Sequence, residues 1–349
     1  MKRMITMGIL TALFMTIFSA CGNADGIKRN QEAQNMQTNS IKTKFQEDDA
    51  GVSESYTADT SISDVINDPV FGDYGRLIFP ADAGYYSGDT LGKLRLTWYS
   101  SIDPDETVEI TNYMKEHAAA GDTIFYDIYT EEEKAADSAK EDTGLFFFKG
   151  NPGEKFAICN AGGAFAYVGA MQDSFPHALE LSKQGYNAFA LIYRPGAQTA
   201  CEDLARAIQY IFEHAKELEV DTDGYSLWGG SAGARMAAWL GSYGTAAFGA
   251  ESFPQPAAVI MQYTGLSEYS EKDPATFVTV GESDGIASWR VMKQRLDGMS
   301  ALGIDTEFHS YPGLGHGFGL GTGTVAEGWL DEAVAFWEKQ VTGKENEDE

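Results

Sequence analysis

The chain has 349 residues, 43% of them hydrophobic, and a formal net charge of −27. That length and apolar content can bury a substantial core, as one large domain with extensions. No basic stripe offsets the acidity, so the composition argues against nucleic-acid binding and speaks instead to solubility and repulsion of anionic polymers.

The first predicted elements concern export. Lys2 and Arg3 precede an apolar stretch over residues 4–18, too short and too poorly flanked for a membrane span. It ends Phe18-Ser19-Ala20-Cys21-Gly22, small residues followed at once by cysteine. This resembles a bacterial lipoprotein cleavage box, which makes residues 1–21 a signal peptide ending at a lipidated Cys21. An ordinary secretory signal is the alternative. The expected location is the bacterial cell surface, with the membrane as partner through the lipid anchor. Residues 22–60 are polar and read as a disordered tether, reaching on the order of 35 Å as a flexible coil.

Residues 61–120 form an N-terminal extension too apolar for a linker, with Phe71, Tyr74, Leu77, Ile78, Phe79, Tyr85 and Tyr86, and a helix is expected over 103–119. It either caps a pocket or packs on a sheet edge. From residue 121 strand and helix alternate. Runs at 123–129 and 144–148 read as antiparallel strands that begin a sheet. Strands at 155–159, 188–193, 225–228, 257–263, 275–280 and 306–311 are separated by helices near 176–183, 201–218, 232–240 and 289–299, with a last helix near 326–340. The pattern predicts an α/β fold over residues 121–341, a mostly parallel sheet covered by helices on both faces, and then a charged tail at 342–349.

Chemistry concentrates at three strand ends. Gly229-Gly230-Ser231-Ala232-Gly233 reads G-x-S-x-G between a short apolar strand and a small-residue helix. A serine at such a turn is held out of the backbone beside helix N–H groups, as a nucleophile requires. The strand at 275–280 empties into Gly281-Glu282-Ser283-Asp284-Gly285, where Asp284 is the favoured acid over Glu282. The strand at 306–311 leads to His316 in a glycine-rich loop, the preferred base over His309, which alternates within a strand. The strand at 155–159 runs into Asn160-Ala161-Gly162-Gly163-Ala164-Phe165. Small residues there leave the N–H groups of Gly163 and Ala164, with that of Ala232, free to meet an oxyanion.

Together these residues resemble α/β-hydrolase esterases, in particular the acetyl esterase, acetylxylan esterase and feruloyl esterase-like group related to hormone-sensitive lipase. Gly162-Gly163-Ala164-Phe165, Tyr193-Arg194-Pro195, the Ser231 elbow, Asp284 and His316-Gly317-Phe318 carry the likeness, over roughly residues 121–341. Where many relatives have His-Gly-Gly-Gly, this chain has Ala161-Gly162-Gly163-Ala164. The resemblance implies a serine hydrolase acting on short acyl esters, on a small-molecule or oligosaccharide substrate, through a Ser231–His316–Asp284 triad.

Phe165, Trp228 and Trp289 are candidate pocket walls, with Trp98 a weaker one, and Arg194 is expected to hold a structural carboxylate. Cys159 and Cys201 read as small buried thiols. No Cys/His spacing resembles a zinc site, so neither metal nor cofactor is expected. Two other functions use the same scaffold: an exported serine peptidase, and a surface lipoprotein that binds glycan without catalysis. Such peptidases normally carry a large β-propeller, for which the chain outside the hydrolase segment is too short.

Overall fold

The computed structural model describes residues 54–80, 85–96 and 102–345. The expected signal peptide, Cys21, most of the tether and Trp98 lie outside the described residues. The folded body begins at Ser55.

Its centre is one eight-stranded sheet in the order β1-β2-β4-β3-β5-β6-β7-β8. The strands are β1 (Phe125–Asp127), β2 (Gly144–Phe148), β3 (Lys155–Asn160), β4 (Asn187–Ile192), β5 (Asp221–Gly230), β6 (Ala258–Gln262), β7 (Ala275–Gly281) and β8 (Thr306–Tyr311). β2 runs antiparallel to β1 and β4, and all other neighbours are parallel. The expected α/β-hydrolase architecture is therefore present. The parallel direction brings the ends of β3, β5, β6, β7 and β8 to one sheet edge, where open α/β sheets carry their sites.

The helices are α1 (Ile62–Ile66), α2 (Pro104–Ala120), α3 (Glu131–Ala136), α4 (Ala170–Asp173), α5 (Phe175–Lys183), α6 (Ala197–Glu213), α7 (Ala215–Leu218), α8 (Ala232–Tyr243), α9 (Trp289–Ala301) and α10 (Trp329–Glu345). The helix expected over 201–218 is in fact α6 and α7, because His214 leaves helical geometry at φ −111°, ψ 13°. α10 continues past residue 341 to Glu345, across Thr342 and Gly343, so the first half of the expected tail is helical. Strands buried on both faces, such as β2 and β4, read as unbroken apolar runs because helices cover both sides.

The N-terminal extension joins the same core. Tyr74 stacks on Phe125 of β1 at 5.3 Å between ring centroids and meets Phe146 of β2 edge-on. α2 is capped by Asp103 and ends at Gly121 in the left-handed region. It lies beside α5, with Glu109 paired to Lys183. A second contact reaches further, where Tyr85 stacks on Tyr167 at 4.5 Å, beyond the loop that follows β3. The folded body also begins earlier than residue 61. Tyr56 is buried, its hydroxyl donating to Asp68 at 2.5 Å and its backbone paired both ways with the Asn112 side chain. A single anchored tyrosine is enough to end a polar tether.

Candidate active site

Ser231 sits between β5 and α8 with φ 51° and ψ −112°, a conformation that strains any residue other than glycine. Its N–H donates to the Gln262 carbonyl at 3.0 Å, which fixes the turn to the end of β6. The side chain of Gln262 in turn donates to the Gly319 carbonyl at 2.8 Å. One residue thus ties the elbow to the histidine loop.

His316 approaches from the loop after β8. Its Nε2 lies 3.1 Å from Ser231 Oγ, and its Nδ1 lies 2.7 Å from Asp284 Oδ2. The other oxygen of Asp284 accepts from the N–H groups of Ile286 and Ala287, each at 2.7 Å. These bonds leave the carboxylate aimed at one ring nitrogen, which presents the opposite nitrogen to the serine. The Asp284 side chain is fully buried and that of His316 nearly so, where charge interactions are least screened by water. Further support for the histidine loop comes from Gln172, whose Nε2 donates to the Gly317 carbonyl at 2.8 Å.

The oxyanion candidates come next. After β3 the backbone takes φ 131° at Gly163, 55° at Ala164 and 59° at Phe165. Two consecutive non-glycine residues in the left-handed region cost on the order of 1–3 kcal/mol each, so surrounding structure must hold them there. Tyr193 provides one hold, its hydroxyl donating to the Ala161 carbonyl at 2.6 Å. Among the described residues, the N–H groups of Gly163, Ala164 and Ala232 have no acceptor within the protein. Ala232 opens α8, whose first N–H groups lack helical partners by geometry.

The remaining residues separate. Glu282 is exposed and accepts from Ser310. His309 stacks on Phe277 and lies between Glu307 and Glu332, away from the elbow. Phe165 is half-buried and stacks on Trp239 at 6.0 Å. Trp228 is not a pocket wall. It is 1% exposed, between Trp329 and Trp337 of α10, with its Nε1 donating to Ser226 Oγ at 2.8 Å. β5 is covered on both faces, and strand alternation sends this ring to the α10 side. Trp289 starts α9, half-buried, under the Arg290 guanidinium at 4.3 Å; no ring contact joins it to Ser231, His316 or Phe165 among the described residues.

Arg194 holds a carboxylate in the interior, donating to Asp203 through Nη2 at 2.7 Å and Nε at 3.0 Å. Cys159 and Cys201 are free and buried, and burial pushes the Cys201 thiol up to about 12. Among the described residues no cluster of three His, Cys, Asp or Glu is placed to hold a metal ion.

Asp173, like Gln172 and Gln262, has no counterpart in the sequence reading. Asp173, at the end of α4, is buried beneath the oxyanion loop, with Oδ2 accepting from the Gly162 N–H at 2.8 Å. Its Oδ1 accepts from the Tyr263 hydroxyl at 2.5 Å. The only local signal is a carboxylate among small and apolar residues before a helix; its partners lie 11 and 90 residues away.

Comparison with known proteins agrees with this architecture. Residues 151–252, from just before β3 through α8, match the family BD-FAE. No curated protein matches the chain. Among solved structures, an acetyl ester-xyloside bifunctional hydrolase from Caldicellulosiruptor lactoaceticus is 20% identical, with TM-score 0.51 over 56% of this chain and 88% of that one. A propionate-bound thermophilic esterase from the planctomycete Thermogutta terrifontis is 21% identical, with TM-score 0.50 over 57% of this chain and 89% of that one. Likeness at this identity establishes the fold. The chain is an α/β hydrolase by fold, similar over residues 151–252 to the esterase-like BD-FAE family.

Proposed function

We propose that this protein is a serine esterase acting on short acyl esters, with acylated carbohydrate as the favoured substrate class. The observation that carries the reading is the run from Ser231 Oγ to His316 Nε2 at 3.1 Å and from His316 Nδ1 to Asp284 at 2.7 Å, at a strained strand-to-helix turn.

Ser231 Oγ attacks the ester carbonyl carbon while His316 Nε2 takes its proton. Asp284 keeps Nδ1 protonated and stabilises the imidazolium. The carbonyl oxygen, now negative, is met by the N–H groups of Gly163, Ala164 and Ala232. Collapse of the tetrahedral species breaks the bond to the leaving oxygen, which receives the proton from His316. Water then attacks the acyl-enzyme by the same route and frees the acid and Ser231. The likeness to an acetyl ester-xyloside hydrolase and to an esterase that binds propionate supports small acyl groups. The Phe18-Ser19-Ala20-Cys21 motif supports a location at the bacterial surface, tethered through Cys21.

The test is hydrolysis of p-nitrophenyl esters from acetate to octanoate by protein lacking residues 1–21, with Ser231→Ala beside it. The expected outcome is activity that falls steeply after two to four carbons and drops roughly 10³-fold or more in the variant. Turnover unchanged in Ser231→Ala would remove the nucleophile assignment.

A further inference from the structure

Asp173 has the chemistry of a designed support. Its carboxylate is buried, and burial pushes the acid up, opposed by the Tyr263 hydroxyl, the Gly162 N–H and the charge of His316. A buried carboxylate persists only where donors replace its lost hydration. Here both anchoring partners are donors, so the group acts as an acceptor only. A Cβ at Gly162 or at Gly230 would each stand 2.6 Å from its Oδ2. The carboxylate is thus wedged between the oxyanion loop and the nucleophile elbow, in a space that two glycines leave open.

Tyr263 extends the same support. It follows β6 with a positive φ of 30°, and its ring lies 4.9 Å from the His316 ring and 4.8 Å from Phe318. The neighbour of Asp173, Gln172, already holds the histidine loop through Gly317. Two consecutive side chains of α4 therefore reach the two halves of the site. The peptide that Asp173 fixes is the one leading into the strained run at Gly163, Ala164 and Phe165. A buried hydrogen bond to the Gly162 N–H faces no competition from water, which suits an anchor for strained backbone.

We propose that Asp173 is a positioning residue of the esterase site: with Tyr263 as its second anchor, it holds the Gly162 peptide and so aims the oxyanion donors. The inference rests on the esterase reading for its catalytic consequence, while the loop anchoring stands on geometry alone.

The test compares Asp173→Ala, Asp173→Asn and Tyr263→Phe with wild type on p-nitrophenyl acetate, and follows amide hydrogen exchange over residues 161–168. In Asp173→Ala, kcat is expected to fall about 100-fold with KM within about 3-fold, because oxyanion donors act on the transition state. Asp173→Asn keeps an acceptor for the Gly162 N–H and is expected to recover about 10-fold of that loss. Tyr263→Phe is expected to lose about 3-fold to 10-fold in kcat, again at constant KM. Exchange over 161–168 speeds up in the same order. If Asp173→Ala does not fold, the Asn and Phe variants decide by the same kcat-against-KM split and the same exchange.

Wild-type kcat in the variants, losses that only follow the amount of folded protein, or an unchanged exchange rate would each overturn the proposal. Absence of Ser231-dependent turnover in wild type would overturn the esterase reading instead, and the exchange experiment would then decide the anchoring by itself.

Discussion

Asp203 and Asp284 are both carboxylates withdrawn from solvent beside a nitrogen base, and they differ in what that base can do. Asp203 receives Nε and Nη2 of Arg194, the Arg194 backbone N–H and the Tyr129 hydroxyl. Arg194 spends its remaining Nη1 on Asp137 at 2.7 Å. Guanidinium does not give up its proton, so Arg194 cannot serve as a base. Asp284 satisfies one oxygen with two backbone N–H groups and leaves the other to a histidine, whose far nitrogen meets a hydroxyl. That arrangement can gain and return a proton. Burial and a hydrogen-bonded nitrogen partner are common to both regions; an exchangeable proton facing a nucleophile belongs to one.

The sharpest way to break this contrast is Asp284→Asn. It is expected to lower kcat about 10³- to 10⁴-fold with little change in fold, measured by ester hydrolysis beside circular dichroism. Near-normal turnover would make Asp284 a structural carboxylate like Asp203. Arg194→Met should show the opposite profile. Leaving Asp203 buried without its cation is expected to cost about 3–5 kcal/mol in denaturant unfolding, with kcat per folded molecule within about 2-fold. A catalytic defect at normal stability would move Arg194 into the site.

His177 sharpens the comparison from another side. It is fully buried against Trp329, and burial holds its imidazole down to about 4, opposed by backbone hydrogen bonds. An unfolded histidine titrates near 6.5, so on acidification the unfolded chain takes the proton first. Its contribution is complete above that pH and is lost as pH falls toward about 4, by roughly 3 kcal/mol in all. Unfolding of wild type and His177→Gln between pH 7 and 4.5 checks this: the variant should lack that part of the pH dependence. The smallest effect is expected at Trp228→Phe, about 1–2 kcal/mol of stability from lost packing, with KM for short esters unchanged. A raised KM would return Trp228 to the substrate pocket.

The elements that position the site were legible where chemistry and backbone coincide locally. The elbow needs its strand, its glycines and its small-residue helix within a few positions; Asp284 lies three residues past an apolar strand, and His316 five residues past the mixed strand Thr306–Tyr311, in a glycine-rich loop. Side-chain direction was less legible. Trp228 lies in a strand apolar on both faces, so periodicity alone cannot say which side its ring takes; Trp329 and Trp337, a hundred residues later, decide it. Asp173 left no pattern because its side-chain partners lie 11 and 90 residues away. The N-terminal extension showed its apolarity but not its seat, since the stack of Tyr74 on Phe125 depends on where β1 ends in space.

Gln262 carries a consequence for the whole site. Its carbonyl holds the Ser231 N–H and its side chain holds the Gly319 carbonyl. The nucleophile turn and the histidine loop are therefore both fastened to the end of β6. The oxyanion loop is tied to the same strand end by another route, since Asp173 accepts from both the Gly162 N–H and the hydroxyl of Tyr263, the residue after Gln262. The end of β6 is thus the shared mount of nucleophile, base loop and oxyanion loop, and a substitution that shifts it is expected to disturb all three together.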